Sequence, residues 1–170
     1  MHEVAILQLR KNLDVFLNLI KNVSEEQRLW RKTEDAFSMH DILCHLYELE
    51  INYYRSQTDW LLSNSEQPLP EIQTQNWRYS KMYASKDYRI TLRRFVIERE
   101  ASVRWLLAID ETQWERSFLD PKLGKLSAKL FLMNWLDNDY TQLQKIIKLK
   151  YEYLNISSAQ QQPLRFAGNF

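Results

Sequence analysis

The sequence predicts an all-α protein, a four-helix bundle, and three observations carry that reading. Only two Gly and four Pro occur in 170 residues, too little punctuation for a many-stranded sheet. Four long stretches repeat their apolar residues at close to the 3.6-residue helical period. Capping signals stand just ahead of three of the helix starts. With 45% hydrophobic residues, among them six Trp, nine Tyr and seven Phe, one domain of this length can bury a sizeable core.

The first helix is expected from residue 2 to about 22, with Ile6, Leu9, Leu13, Phe16, Leu17 and Ile20 on one side. Ser24-Glu25-Glu26-Gln27 spells a capping box and predicts a short connecting helix. Ser38-Met39-His40-Asp41 resembles a second start, with Asp in place of the usual Glu or Gln. From it Ile42, Leu46, Leu49, Tyr53 and Trp60 carry a stripe to about residue 62. Residues 63–77, with Pro68 and Pro70, read as a surface loop. The third helix spans about 87–109 and aligns Leu92, Phe95, Val96, Val103, Leu106 and Leu107. Asp120-Pro121-Lys122-Leu123-Gly124 is a turn where the chain reverses, and Ser127 can cap the fourth helix. That helix runs to about residue 154 through Leu132, Trp135, Leu136, Leu143, Ile146 and Ile147. The bundle is thus expected over 1–154. Residues 155–170, Gln-rich and broken by Pro163, are expected as an extended tail outside the core.

Charge and composition narrow the function classes. A formal net charge of +1 from interleaved signs points to neither nucleic acid nor an anionic membrane. No apolar run reaches membrane-spanning length, and the N-terminal stretch alternates apolar with charged residues, so a cytoplasmic protein is expected. The lone Cys44 forms no internal disulfide and reads as a small buried thiol. It neighbours His45, but adjacent side chains on a helix point about 100° apart, which disfavours a nucleophile–base pair. Asn155-Ile156-Ser157 matches a glycosylation sequon that means nothing without secretion. Trp77, Tyr79 and Tyr83, near the long loop, are candidates to line a pocket.

Helix geometry then selects inward-facing polar groups. Stepping about 100° per residue, Asp139 lies mid-stripe on the fourth helix, whereas Asp137 and Asn138 point outward. Arg99 lies mid-stripe on the third helix, and Glu100 lies on its edge. His45 occupies a flank of the second helix, on the side of Asp41, Glu48 and Asn52. Two readings of this set compete. In one, Arg99 neutralises Asp139 within a buried polar network that also satisfies His45. In the other, His45 and Asp139 hold a divalent metal (Zn, Ni or Mn) with a third group such as Glu48 or Glu100. Arg99 weighs against the second reading, since a fixed cation repels a metal ion. His40 lies about 140° around the helix from His45, and His2 stands at the terminus, so a three-histidine site is disfavoured.

Four short segments, in order and spacing, resemble the DinB-like superfamily of small four-helix proteins over nearly the whole chain. They are Val23-Ser24-Glu25-Glu26-Gln27 followed by Phe37-Ser38; Leu43-Cys44-His45-Leu46 with Glu50; Asp120-Pro121-Lys122-Leu123-Gly124-Lys125-Leu126-Ser127; and Asp139-Tyr140-Thr141-Gln142-Leu143. Typical members hold a divalent metal on three histidines, one on the second helix and two on the fourth. The resemblance carries the first onto His45. With Gln142-Leu143 as anchor the others fall on Trp135 and Asp139, and a one-residue shift would give Leu136 and Tyr140. One ligand is intact, one is exchanged for a carboxylate and one for an indole. The resemblance therefore implies a bacterial bundle with a degenerate metal site and no cofactor, a homodimer that binds a small molecule or a partner. The alternative it implies is a metal-dependent transferase or hydrolase akin to thiol-cofactor S-transferases, in which the metal activates a thiol.

Overall fold

The computed structural model describes residues 2–63 and 80–160. Helix α1 (His2–Ile20) turns its buried residues Ile6, Leu9, Leu13, Phe16 and Ile20 inward. It ends where Asn22 adopts a left-handed backbone with φ of 58°, a conformation asparagine tolerates well. The Lys150 ammonium donates to the Leu19 carbonyl at 2.6 Å, placing a cation on the negative end of the same helix. The short helix α2 (Glu25–Leu29) starts at Ser24, whose hydroxyl accepts from the Gln27 amide.

The second long helix is not uniform. It comprises α3 (Met39–Leu49), a π-helical turn (Glu50–Tyr54) and α4 (Arg55–Leu62). Ser38 and Asp41 form a complete capping box, so Asp serves the role expected of a longer acid. In the π-turn the Arg55 amide reaches back five residues to the Glu50 carbonyl. The extra residue in that turn resets which side chains face inward after it.

A one-turn helix α5 (Ser80–Tyr83) leads to α6 (Tyr88–Leu107), capped by Asp87. After another one-turn helix, α7 (Glu111–Trp114), comes an antiparallel hairpin of β1 (Ser117–Asp120) and β2 (Gly124–Ser127), with Ser117 opposite Ser127. Its turn is held by the Asp120 carboxylate, which accepts from the Lys122 and Leu123 amides at 2.8 Å, and by Gly124 at φ +78°. Ser127 then caps α8 (Ala128–Gln160) by accepting from the Leu130 amide.

This last helix corrects the expected tail boundary. It continues through residues 155–160, because Gln and Ser disfavour a helix only mildly and Pro163 stands beyond it. The side chains described there stay outside the core, with Ile156 44% exposed. The expectations for residues 161–170, for the Pro68–Pro70 segment and for Trp77 and Tyr79 lie outside the described residues.

Contacts between helices give the topology. Asn12 meets Asp139 and Leu19 meets Lys150, so α1 and α8 run parallel. His40 meets Tyr88, Glu50 meets Arg99 and Arg55 meets Ser102, so the second long helix runs parallel to α6. The pairs oppose each other, since Phe16 packs on Phe95 while Leu9 touches Arg99. The result is an up-down-down-up ring in which α1 lies between α6 and α8. Two apolar clusters fill it, one around Trp135, Leu132 and Leu106 and one around Phe16, Phe95 and Ile42.

Candidate functional site

Between those clusters all four long helices contribute to one charged knot. Arg99 of α6, Glu50 at the start of the π-turn, and Asp139 of α8 are each at most 1% exposed. The Arg99 guanidinium sends Nη1 to Asp139 Oδ2 at 2.6 Å and Nη2 to Asp139 Oδ1 at 2.9 Å, a bidentate grip. Its Nε donates to Glu50 Oε2 at 2.9 Å, and Nη2 lies 2.9 Å from the same oxygen. The remaining Nη1 proton reaches the Leu9 carbonyl of α1 at 3.3 Å. Each nitrogen of the guanidinium therefore has an acceptor.

The carboxylates are satisfied in turn. Asn12 donates to Asp139 Oδ2 at 3.2 Å and is itself held by Gln8 at 2.9 Å. The Trp135 indole donates to Glu50 Oε2 at 3.3 Å, and its ring stacks on Tyr54 at 5.1 Å between centroids. Ser102, fully buried, accepts from Arg55 Nη2 at 2.8 Å and hydrogen-bonds Glu50. Two carboxylates share one guanidinium, and this has an electrostatic consequence. Burial raises the Glu50 pKa, Arg99 draws it back down, and Asp139 pushes it up again. The Arg99 pKa is raised by both acids against the cost of burial, so it remains a cation.

His45 lies in a second environment, five residues earlier on the same helix. Its ring, 7% exposed, meets the edge of Phe37 at 5.8 Å. Burial lowers its pKa and the Lys145 charge lowers it further, with Glu48 opposing, so the imidazole is held neutral. Glu48 is already engaged: the Tyr83 hydroxyl donates to it at 2.5 Å and Lys86 lies at 3.4 Å. Glu100 is directed to Arg10, 3.0 Å away on a partly exposed face. Cys44 is 1% exposed and its thiol is pushed up to about 12 by burial, far from a thiolate at neutral pH.

Of the residues singled out from the sequence, the structure joins Arg99, Asp139 and Trp135. It sets His45 beside Phe37, Glu48 beside Tyr83, and Glu100 beside Arg10. On the fourth helix the Asp139 carboxylate is taken up by the Arg99 guanidinium, and no group of three His, Cys, Asp or Glu suited to a metal occurs among the described residues. Glu50, named in the sequence only within the family-like segment that holds His45, and Asn12 belong to the knot and are not among the candidate site residues read from the sequence. Glu50 lies four residues after Leu46 and seven after Leu43, a spacing that marks an inward flank.

Comparison with known proteins agrees with this architecture. The model of the DinB superfamily matches residues 8–135. YfiT from Bacillus subtilis, described as a probable metal-dependent hydrolase with an unusual four-helix bundle topology, superposes with a TM-score of 0.75 at 13% identity. The alignment covers 88% of this chain and 85% of that one. No curated protein matches the chain.

Proposed function

The chain belongs to the DinB superfamily, and from that premise we propose that it is a binding or interaction module whose interior cation is an arginine instead of a metal ion. The observation that carries this reading is the Arg99 guanidinium, which donates to both Glu50 and Asp139 where the fourth helix would present its ligands. A divalent ion arriving there would face a fixed positive charge and carboxylates already used. For a small molecule, the described residues offer a shallow groove of about 480 Å³ between α4 and α6, lined by Ile51, Arg55, Ser56, Asp59, Ala101 and Trp105.

The test is metal binding by the protein itself. After incubation with Zn, Ni or Mn and desalting, elemental analysis should find well under one equivalent, and the metals should leave the melting temperature unchanged. The double substitution Arg99→Met with Trp135→His removes the cation and places an imidazole beside Glu50 and Asp139, so it should gain metal-dependent stabilisation. Near-stoichiometric metal on the wild-type chain, lost on His45→Ala, would instead establish a metal-dependent transferase or hydrolase built on His45 and Asp139.

A further inference from the structure

The groove between α4 and α6 has a chemistry of its own. The two helices run parallel and Arg55 meets Ser102, so one turn further on Asp59 stands level with Trp105. Ser56 on one wall and Ala101 on the other are small, which opens the space of about 480 Å³ between them. A second hollow of about 230 Å³ continues it toward the C-terminal ends of both helices, where Leu62 and Ile109 give it an apolar lining. Asp59 and Trp105 line both spaces, so they mark the junction.

The charges around this junction are unequally used. Arg55 sends Nη1 to the Glu98 carboxylate at 2.8 Å, and its Nη2 donates to the Glu98 carbonyl at 2.9 Å and to the Ser102 hydroxyl at 2.8 Å. Its Nε is buried. Glu98 thus neutralises the guanidinium, which has little left to offer an anion. Asp59 is exposed, and its carboxylate has no ion-pair or hydrogen-bond partner among the described residues. Trp105 packs against the core while staying partly exposed, and no ring or cation lies on its indole among the described residues. The negative charge of Asp59 is therefore left over, beside an aromatic surface. That pair of groups suits an organic cation: the carboxylate attracts it and accepts its N–H, and the ring quadrupole adds a cation–π contact. An anion at the same place would meet an uncompensated carboxylate.

We propose that this junction binds an organic ammonium ion, seated between the Asp59 carboxylate and the Trp105 indole with an apolar body lying along Leu62 and Ile109. The assignment rests on the reading of the chain as a binding module and names the class of its ligand. The probe is phenethylamine, titrated into the full chain and followed by calorimetry and by the indole N–H resonances in NMR, with Trp105→Phe identifying the Trp105 signal. The wild type should bind it with a Kd of about 1 mM or tighter and shift that signal. Phenylethanol and phenylacetate keep the ring but carry a neutral or a negative group, and should bind at least about ten-fold more weakly. Asp59→Asn should weaken phenethylamine about ten-fold or more and Trp105→Leu about three-fold or more, with helical circular dichroism unchanged. Asp137→Asn, at an exposed acid of α8, should change nothing. No binding at ~10 mM, equal binding of the three probes, or binding indifferent to Asp59→Asn would overturn the proposal. If such a chain also takes up no metal, only the ligand class falls. Metal uptake by the wild type would overturn the module reading itself, whatever the amine titration gives.

Discussion

His45 and Glu50 stand five residues apart on one continuous helix and face different chemistry. Glu50 is 0% exposed and stays tied to a cation, because Arg99, Trp135 and Ser102 all converge on it. His45 is 7% exposed, packed against Phe37 and held neutral by burial and Lys145. The contrast arises from what the neighbouring helices provide. Opposite Glu50, α6 contributes an arginine that also grips α8, whereas near His45 the neighbours contribute an aromatic edge and a lysine charge. A buried acid survives only where a cation is fixed for it, while an imidazole can give up its proton and remain.

The sharpest way to break this contrast is to remove the cation. Arg99→Met leaves Glu50 and Asp139 buried side by side, and the expected loss is about 3–5 kcal/mol in denaturant unfolding, enough to unfold a marginal domain. Asp139→Asn keeps one acceptor for Arg99 and leaves Glu50 to neutralise it, so the loss should be smaller, about 1.5–3 kcal/mol. Equal losses from the two changes would mean that the guanidinium does not hold the acids together. Changing all three charged residues to apolar ones of similar volume should recover most of the stability, since such knots rarely outperform a packed apolar core.

The contrast also shows which parts were legible from sequence. The four long helices, the Ser24 and Ser38 starts, and the Ser127 cap follow from local chemistry and appear as expected. Arg99 and Asp139 could be placed inward because an unbroken 3.6-residue period runs through α6 and α8. Glu50 is harder to see: its spacing after Leu43 and Leu46 marks an inward flank, but the π-turn that begins with it breaks the period on its far side, and no residue type announces such a turn. His45 lies where the wheel sets it, on a flank of its helix. The aromatic edge and the lysine charge that act on it come from Phe37 before α3 and Lys145 of α8, a tertiary arrangement that spacing along one helix does not encode. The helical run through residues 155–160 was obscured by a polar composition that fits helix and tail alike.

A gentler probe of the charged knot is pH. The folded pKa of Glu50 is raised, chiefly by burial, so the folded chain holds a proton that the unfolded chain releases above its ordinary pKa near 4.3. That contribution is fully present below the unfolded value and is lost as pH rises through the folded one. Stability from this residue therefore falls as pH climbs above about 4.3. Glu50→Gln, neutral at every pH, should flatten that part of the profile while keeping an acceptor for Arg99. A profile unchanged by Glu50→Gln would show that the residue is ionised throughout, with Arg99 outweighing both burial and Asp139.

The smallest expected effect belongs to His45, and its sign is opposite. Its folded pKa is lowered, first by burial and then by Lys145, so below the ordinary value near 6.5 the unfolded chain takes up a proton that the folded chain resists. Its contribution is complete above about pH 6.5 and is lost as the pH falls toward the lowered folded value. His40 behaves in the same way: it is 3% exposed against the Tyr88 ring, and its pKa is lowered by burial. The two must therefore be separated by single substitutions. His45→Gln, compared with His40→Gln, should each remove part of the slope between pH 5 and 7 without altering the Glu50 limb. Direct titration of the ring protons by NMR should give His45 an apparent pKa below that of a histidine in a peptide. A value above it would mean that a carboxylate, Glu48 or Asp139, holds the imidazolium. The division between a charged knot at Glu50 and a neutral ring at His45 would then have to be given up.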